Sequence, residues 1–148
     1  MPHTINQECV GCVLCVHYCP VEAIRGEKKK LHIIDPVICI DCGVCGRVCA
    51  FNAVEDGLGN LVAREKPAEW ARPVFNYQIC VACNLCNMIC PTGVIGAQHP
   101  DGHKTKDIFP YLQDSKGCIG CSFCERICPT GAIEMLRMVK KLSIDLLK

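Results

Sequence analysis

Four copies of one cysteine pattern, C-x2-C-x2-C-x3-C, constrain this chain more than any other feature. They are CVGCVLCVHYC at 9–19, CIDCGVCGRVC at 39–49, CVACNLCNMIC at 80–90 and CIGCSFCERIC at 118–128. Together they use all sixteen cysteines, so none is left for another task. Repetition of this kind governs architecture before helix or strand periodicity does. The similarity runs past the cysteines: the residue after the first is Val10, Ile40, Val81 or Ile119, and PVEAI, AFNAV, PTGVI or PTGAI follows the fourth. One supersecondary unit is written four times.

Cysteine at this density means a secreted disulfide framework, zinc sites or iron-sulfur ligation. The opening MPHTINQECV has no basic start, apolar run or small-residue cleavage site, so a reducing, cytoplasmic location is expected. No apolar run approaches the roughly 20 residues that span a bilayer, so no direct membrane insertion is expected. One Trp, three Tyr and four Phe are few side chains from which to build a core in 148 residues. Something other than aromatic packing must organise the chain. The formal net charge of +1 gives no reason to expect nucleic-acid binding.

Each copy reads as a short strand, a tight cysteine loop, and a helical turn begun near the fourth cysteine. Pro20, Pro91 and Pro129 would suit the first turn of such a helix, with Ala50 taking the same conformation in the second copy. Nineteen residues separate Cys19 from Cys39, 30 separate Cys49 from Cys80, and 27 separate Cys90 from Cys118. These intervals predict one module over 1–56, a linker over 57–74 punctuated by Gly57, Gly59, Pro67 and Pro73, and a second module over 75–134. A lengthened hairpin is expected over 94–117, turning at HPDG, 99–102. Trp70 is expected to pack in the seam between modules. Met135, Val139, Leu142 and Leu146 fall on one helical stripe, which predicts a C-terminal helix over 135–148 that packs on its own module or docks on a catalytic subunit.

Three cysteines at two-residue intervals can wrap one face of a small metal cube, because a tight loop gathers their sulfurs and turns backbone N–H groups inward. A zinc site is not normally spaced with a third cysteine two residues on and a fourth three further. A redox dithiol would sit in a thioredoxin-like βαβ pattern, which surrounds none of these pairs.

On these motifs, residues 5–55 resemble a bacterial two-cluster 4Fe-4S ferredoxin, and residues 75–136 resemble a second one with a longer central hairpin. The fold class implied is α+β: a tandem pair of clostridial-type ferredoxin modules with short hairpins and short helices, plus the C-terminal helix. In that family the fourth cysteine of each run ligates the other cluster. The resemblance therefore implies Cys9, Cys12, Cys15 and Cys49 at one cluster, and Cys39, Cys42, Cys45 and Cys19 at the next. In the second module it implies Cys80, Cys83, Cys86 and Cys128, then Cys118, Cys121, Cys124 and Cys90. Adjacent pairing of the copies is preferred because all four are regular; nested pairing, first with fourth and second with third, is the open alternative. Four clusters standing in for a core also imply an apoprotein that is largely unfolded. Four oxidised clusters would move the net charge from +1 to about −7, favouring basic partner surfaces. All-cysteine ligation favours low potentials.

No nucleophile-base pair, phosphate loop or substrate pocket is evident, so the chain is expected to relay electrons rather than to catalyse. It is similar to the small iron-sulfur subunits of tungsten-dependent aldehyde oxidoreductases and benzoyl-CoA reductases, an impression to which EWARPVFNYQIC, 69–80, adds. That resemblance implies a larger catalytic oxidoreductase subunit as partner, with a flavin- or quinone-linked subunit beyond it. The alternatives are a relay subunit of a formate dehydrogenase or hydrogenase, and a free polyferredoxin. Complementary ends would further allow head-to-tail self-association. His17 lies inside the first motif, where it reads as an exposed loop residue; His3, His32, His99 and His103 read as ordinary strand or turn positions. EKKK, 27–30, reads as a solvated hairpin tip.

Overall fold

Aliphatic and β-branched residues flank every cysteine loop in short runs, long enough for strands of a few residues and no more. The structure, a computed structural model, describes residues 1–99 and 108–137. The chain divides into two units, Met1–Pro67 and a second beginning at Ala68.

In the first unit the elements run β1 (Thr4–Ile5), α1 (Leu14–Tyr18), β2 (Ile24–Arg25), β3 (Ile33–Ile34), α2 (Val44–Val48) and β4 (Val54–Glu55). In the second they run β5 (Ala71–Phe75), α3 (Leu85–Ile89), β6 (Ile95–Gln98), β7 (Phe109–Leu112), α4 (Phe123–Ile127) and β8 (Ile133–Arg137). Four antiparallel pairs result: β1 with β4, β2 with β3, β5 with β8, and β6 with β7. Helix α1 packs on α2, and α3 on α4. The strand and helix partners thus join the first copy to the second and the third to the fourth, the adjacent arrangement.

The helices stand one step earlier than the sequence suggests. Each five-residue helix carries the third cysteine and ends at the fourth, so the prolines follow the helices instead of starting them. A residue before proline is pushed out of the helical region, and Cys19, Cys90 and Cys128 are extended with φ/ψ of −72/113, −67/112 and −67/114. Cys49 adopts −70/115 ahead of Ala50, so alanine does take the same path.

The stretch expected as a linker is largely claimed by its neighbours. Leu61 bridges Glu55, Val62 N–H donates to Val54 O at 2.9 Å, and Glu65 N–H donates to Arg47 O at 2.9 Å, which lays 61–65 along the first unit. Gly46 makes room for this return, since a Cβ there would stand 2.3 Å from Val62 Cβ. At the other end, Ala71–Phe75 is a full strand. Its partner is β8, so Met135, Leu136 and Arg137 are strand residues, not the start of a helix. The rest of the expected C-terminal helix, 138–148, lies outside the described residues, as does the 100–107 part of the hairpin. The hairpin arms do pair, from Ile95↔Leu112 to Gln98↔Phe109, twice the length of β2 and β3. Trp70 is buried and belongs to the second unit.

Strand register makes the two units comparable residue by residue. Ile5↔Val54 corresponds to Phe75↔Ile133, and Ile24↔Ile34 to Ile95↔Leu112. Ala23, Ile24, Ile34, Val44, Val48, Ala53 and Val54 form the apolar interior of the first unit, joined by Cys15 and Cys45. Cys86, Ile95, Cys124 and Ile133 form that of the second. A core of this size rarely supplies more than about 3–5 kcal/mol. Buried cysteines are therefore part of what must hold each unit together.

Candidate metal centres

Every cysteine loop repeats one unusual backbone path. The second residue after the first cysteine and the first after the second are both left-handed: Gly11 and Val13, Asp41 and Gly43, Ala82 and Asn84, Gly120 and Ser122, with φ between 52° and 72°. Alternation of right- and left-handed residues turns successive N–H groups to one side and makes a concave nest for an anionic group. Most side chains avoid such values, and a β-branched one like Val13 most of all. That the chain accepts them in all four copies marks the loop shape as required. Gly11 is doubly constrained: a Cβ there would come within 2.4–2.7 Å of the Lys29 and Lys30 backbone, and Lys29 N–H donates to Gly11 O at 2.9 Å.

In the first unit two separate cavities meet these loops. One is lined by Cys9, Cys12, Cys15 and Cys49, with Leu14 and Phe51 among its apolar walls. The other is lined by Cys39, Cys42, Cys45 and Cys19, with Val21 and Ile40. Each is thus lined by three cysteines of one motif and the fourth of the other. In the second unit Cys121 lies close enough to feel the charge of Cys90 and Cys118, and Cys86 that of Cys83 and Cys80. Cys128 packs on the core group that contains Cys86.

Among the described residues no three Cys, His, Asp or Glu side chains are set to share a single metal ion. The electrostatics fit an occupant that carries positive charge. Burial, followed by the neighbouring cysteines, pushes the thiol of Cys15 up to about 11 and those of Cys45 and Cys124 up to about 12. A buried thiolate is costly without a compensating cation. Cys90 and Cys128 go the other way: burial opposes ionisation, but Thr92 and Thr130 hydroxyls and nearby backbone N–H groups outweigh it. At Cys19, Cys49 and Cys128 the N–H four residues on donates to the sulfur at 3.3, 3.4 and 3.2 Å.

Two histidines dismissed from the sequence line these cavities, and the one inside the motif does not. His17 is exposed. His32 is buried in the wall of the first cavity, its Nδ1 3.1 Å from Lys30 O and 3.9 Å from Cys9 Sγ, while Nε2 has no partner among the described residues. Gly26 gives the ring room, since a Cβ there would meet it at 2.7 Å. His3 lines the second cavity against Gly43, with Nδ1 2.7 Å from Asp41 Oδ1 but not aligned as a hydrogen bond. Each precedes the strand that leads into one motif and lines the cavity of the other. The only signal available was that shared position ahead of a strand.

The 4Fe-4S dicluster domain family matches this chain at residues 8–53 and 79–132. A 7Fe ferredoxin from Hydrogenibacillus schlegelii is 41% identical over 56 residues, which cover 36% of this chain and 70% of that protein. Indolepyruvate oxidoreductase subunit IorA from Pyrococcus horikoshii is 41% identical over 56 residues, 36% of this chain but only 8% of the larger one. A chain of the formate dehydrogenase, heterodisulfide reductase and formylmethanofuran dehydrogenase complex from Methanospirillum hungatei is similar at 22% identity with a TM-score of 0.36, over 86% of this chain and 52% of that one. Two dicluster domains with sixteen cysteines fit four 4Fe-4S clusters.

Proposed function

Because the chain belongs to the 4Fe-4S dicluster domain family, we propose that it is the iron-sulfur relay subunit of an anaerobic oxidoreductase complex in the cytoplasm. Electron transfer through 4Fe-4S clusters is the chemistry of its domains. The observation that carries the relay reading is the adjacency of two cysteine-lined cavities in one small unit, repeated as a second pair of cysteine loops in the next.

Each cluster, when bound, supplies a one-electron centre. The chain's own residues hold and shield it. Crossed ligand sets are the arrangement proposed: Cys9, Cys12, Cys15 and Cys49; Cys39, Cys42, Cys45 and Cys19; Cys80, Cys83, Cys86 and Cys128; Cys118, Cys121, Cys124 and Cys90. Cys12 and Cys83 are exposed, so one site in each unit lies near the surface, where a partner can reach it. The fourth cysteines end the helices of one motif and reach toward the other, which couples the two halves. Leu14, Ile40, Val21 and Phe51 keep the cavity walls apolar.

The similarity to a stretch within a much longer oxidoreductase subunit supports use inside a larger complex. The tungsten-dependent aldehyde oxidoreductase expected from the sequence gains no support from these relatives, and a formate dehydrogenase- or hydrogenase-type partner is the broader assignment. A free polyferredoxin is the second reading, favoured by the match to most of a 7Fe ferredoxin. Anaerobic purification from the native host separates the two. A relay subunit elutes at fixed stoichiometry with a larger cofactor-bearing chain, and a carrier elutes alone. Either requires about sixteen iron and sixteen acid-labile sulfide per chain; a few metal ions without sulfide would sink both.

A further inference from the structure

The residue two positions after each fourth cysteine differs between the units in one chemical respect. In the first unit it is Val21 or Phe51, and each lines a cavity with carbon. In the second it is Thr92 or Thr130, whose Oγ1 lies 3.6 Å from Cys90 Sγ or Cys128 Sγ. Backbone donation does not account for the difference, because the fourth cysteine accepts from the N–H four residues on in both units. In the first unit the side-chain group that approaches a cavity cysteine is an imidazole: His32 Nδ1 lies 3.9 Å from Cys9 Sγ and is engaged with Lys30 O.

We propose that Thr92 and Thr130 are potential-setting residues, each donating its hydroxyl proton to the fourth-cysteine sulfur of one site in the second unit. The proposal rests on the cluster reading above. Reduction of a site adds one electron from the donor or electrode, breaks no bond to the protein and takes up no proton. The added negative charge spreads onto the thiolate sulfurs, and a donated hydrogen bond stabilises it there. The hydroxyl therefore favours the reduced state and raises the potential. Thr92 is half-buried and Thr130 exposed, so water can replace the second donor more readily than the first. Thr92 acts on the site of Cys118, Cys121 and Cys124, and Thr130 on that of Cys80, Cys83 and Cys86.

The test is a potentiometric titration, followed by EPR, of the full-length protein loaded anaerobically, for wild type, Thr92→Val, Thr92→Ser, Thr130→Val and Val21→Thr. Thr92→Val should make one site about tenfold harder to reduce, about 59 mV for a one-electron couple. Thr130→Val should shift a different site in the same direction by less. Thr92→Ser should restore the wild-type value, and Val21→Thr should raise a potential in the first unit. Full iron and sulfide content with all potentials unchanged in both valine variants would overturn the proposal. If Thr92→Val loses its cluster, Val21→Thr decides, and no upward shift there overturns it. Wild-type protein without acid-labile sulfide would instead defeat the underlying cluster reading.

Discussion

Aligned by strand register, the first unit places His3 and His32 where the second places Pro73 and Pro110, all four buried. It places Val21 and Phe51 where the second places Thr92 and Thr130. One backbone plan thus carries two linings: imidazoles approaching from the strand side, or hydroxyls approaching from the cysteine side. The supports differ as well. In the second unit Tyr77 stacks on Phe75 at 6.3 Å, meets Phe109 edge-on at 5.8 Å and donates to Pro110 O at 3.0 Å, while Asn84 Nδ2 donates to Ile108 O at 2.8 Å. Those contacts tie the longer hairpin to the first strand and the cysteine loop. The first unit, with two-residue strands, instead draws 61–65 back onto itself. The comparison teaches that loop path and strand pairing are the fixed part of the design, and that polarity and bracing around the sites are free to change.

The strongest test of the shared plan is Cys49→Ala. With crossed ligand sets it opens the cavity of Cys9, Cys12 and Cys15 and loosens its neighbour, so about eight of about sixteen iron atoms should be lost, all from the first unit. Iron analysis combined with limited proteolysis reads this. Losses from the second unit would point to nested pairing.

A single loop position should next separate the units by the size of its preference for glycine. Gly11 and Ala82 are equivalent in position, and Gly11 faces the crossing Lys29–Lys30 backbone while Ala82 already carries a Cβ. Gly11→Ala should destabilise the loaded protein by about 3 kcal/mol, through the clash and the left-handed φ together. Ala82→Gly should stabilise by about 1 kcal/mol by relieving φ 52°. Anaerobic thermal melts measure both, and equal effects would mean that the Lys29–Lys30 turn does not cover the loop. The returning segment offers a smaller effect peculiar to the first unit. Gly46→Ala should cost about 2 kcal/mol against Val62, and Val62→Gly in the same chain, which removes the Cβ that the new methyl meets, should recover much of it. Additive losses in the double variant would show that the two residues do not touch.

His32→Leu is the mildest change, since it makes the first cavity's wall resemble the second unit's apolar Pro110. It gives up the hydrogen bond to Lys30 O, worth about 1 kcal/mol. Faster iron release to a chelator from the first unit alone is the expected readout, and an unchanged rate would show that the bond contributes nothing to retention.

The cysteine loops and the adjacent pairing of their copies could be read in the sequence because spacing is local information. What escaped it depended on distant partners. Met135 fits a helical stripe with Val139, Leu142 and Leu146, but Ala71–Phe75, some sixty residues away, supplies the hydrogen-bonding edge that makes Met135 to Arg137 a strand. The prolines were ambiguous for a different reason. Proline suits both the first turn of a helix and the residues just past its end, and only the extended conformation of Cys19, Cys90 and Cys128 shows which applies. His3 and His32 could not be picked out because burial beside the other motif's cavity is set by the crossing of the two halves.

Among the described residues every strand pair closes within one unit and joins one motif to the next. The smallest piece that can be copied and still close its strands is therefore a pair of motifs, never one alone. A chain with three would leave strands unpaired and, under crossed ligation, a fourth cysteine with no site to complete. Proteins of this design should lengthen by duplication two redox centres at a time, and deleting a single motif should damage its twin as much as itself.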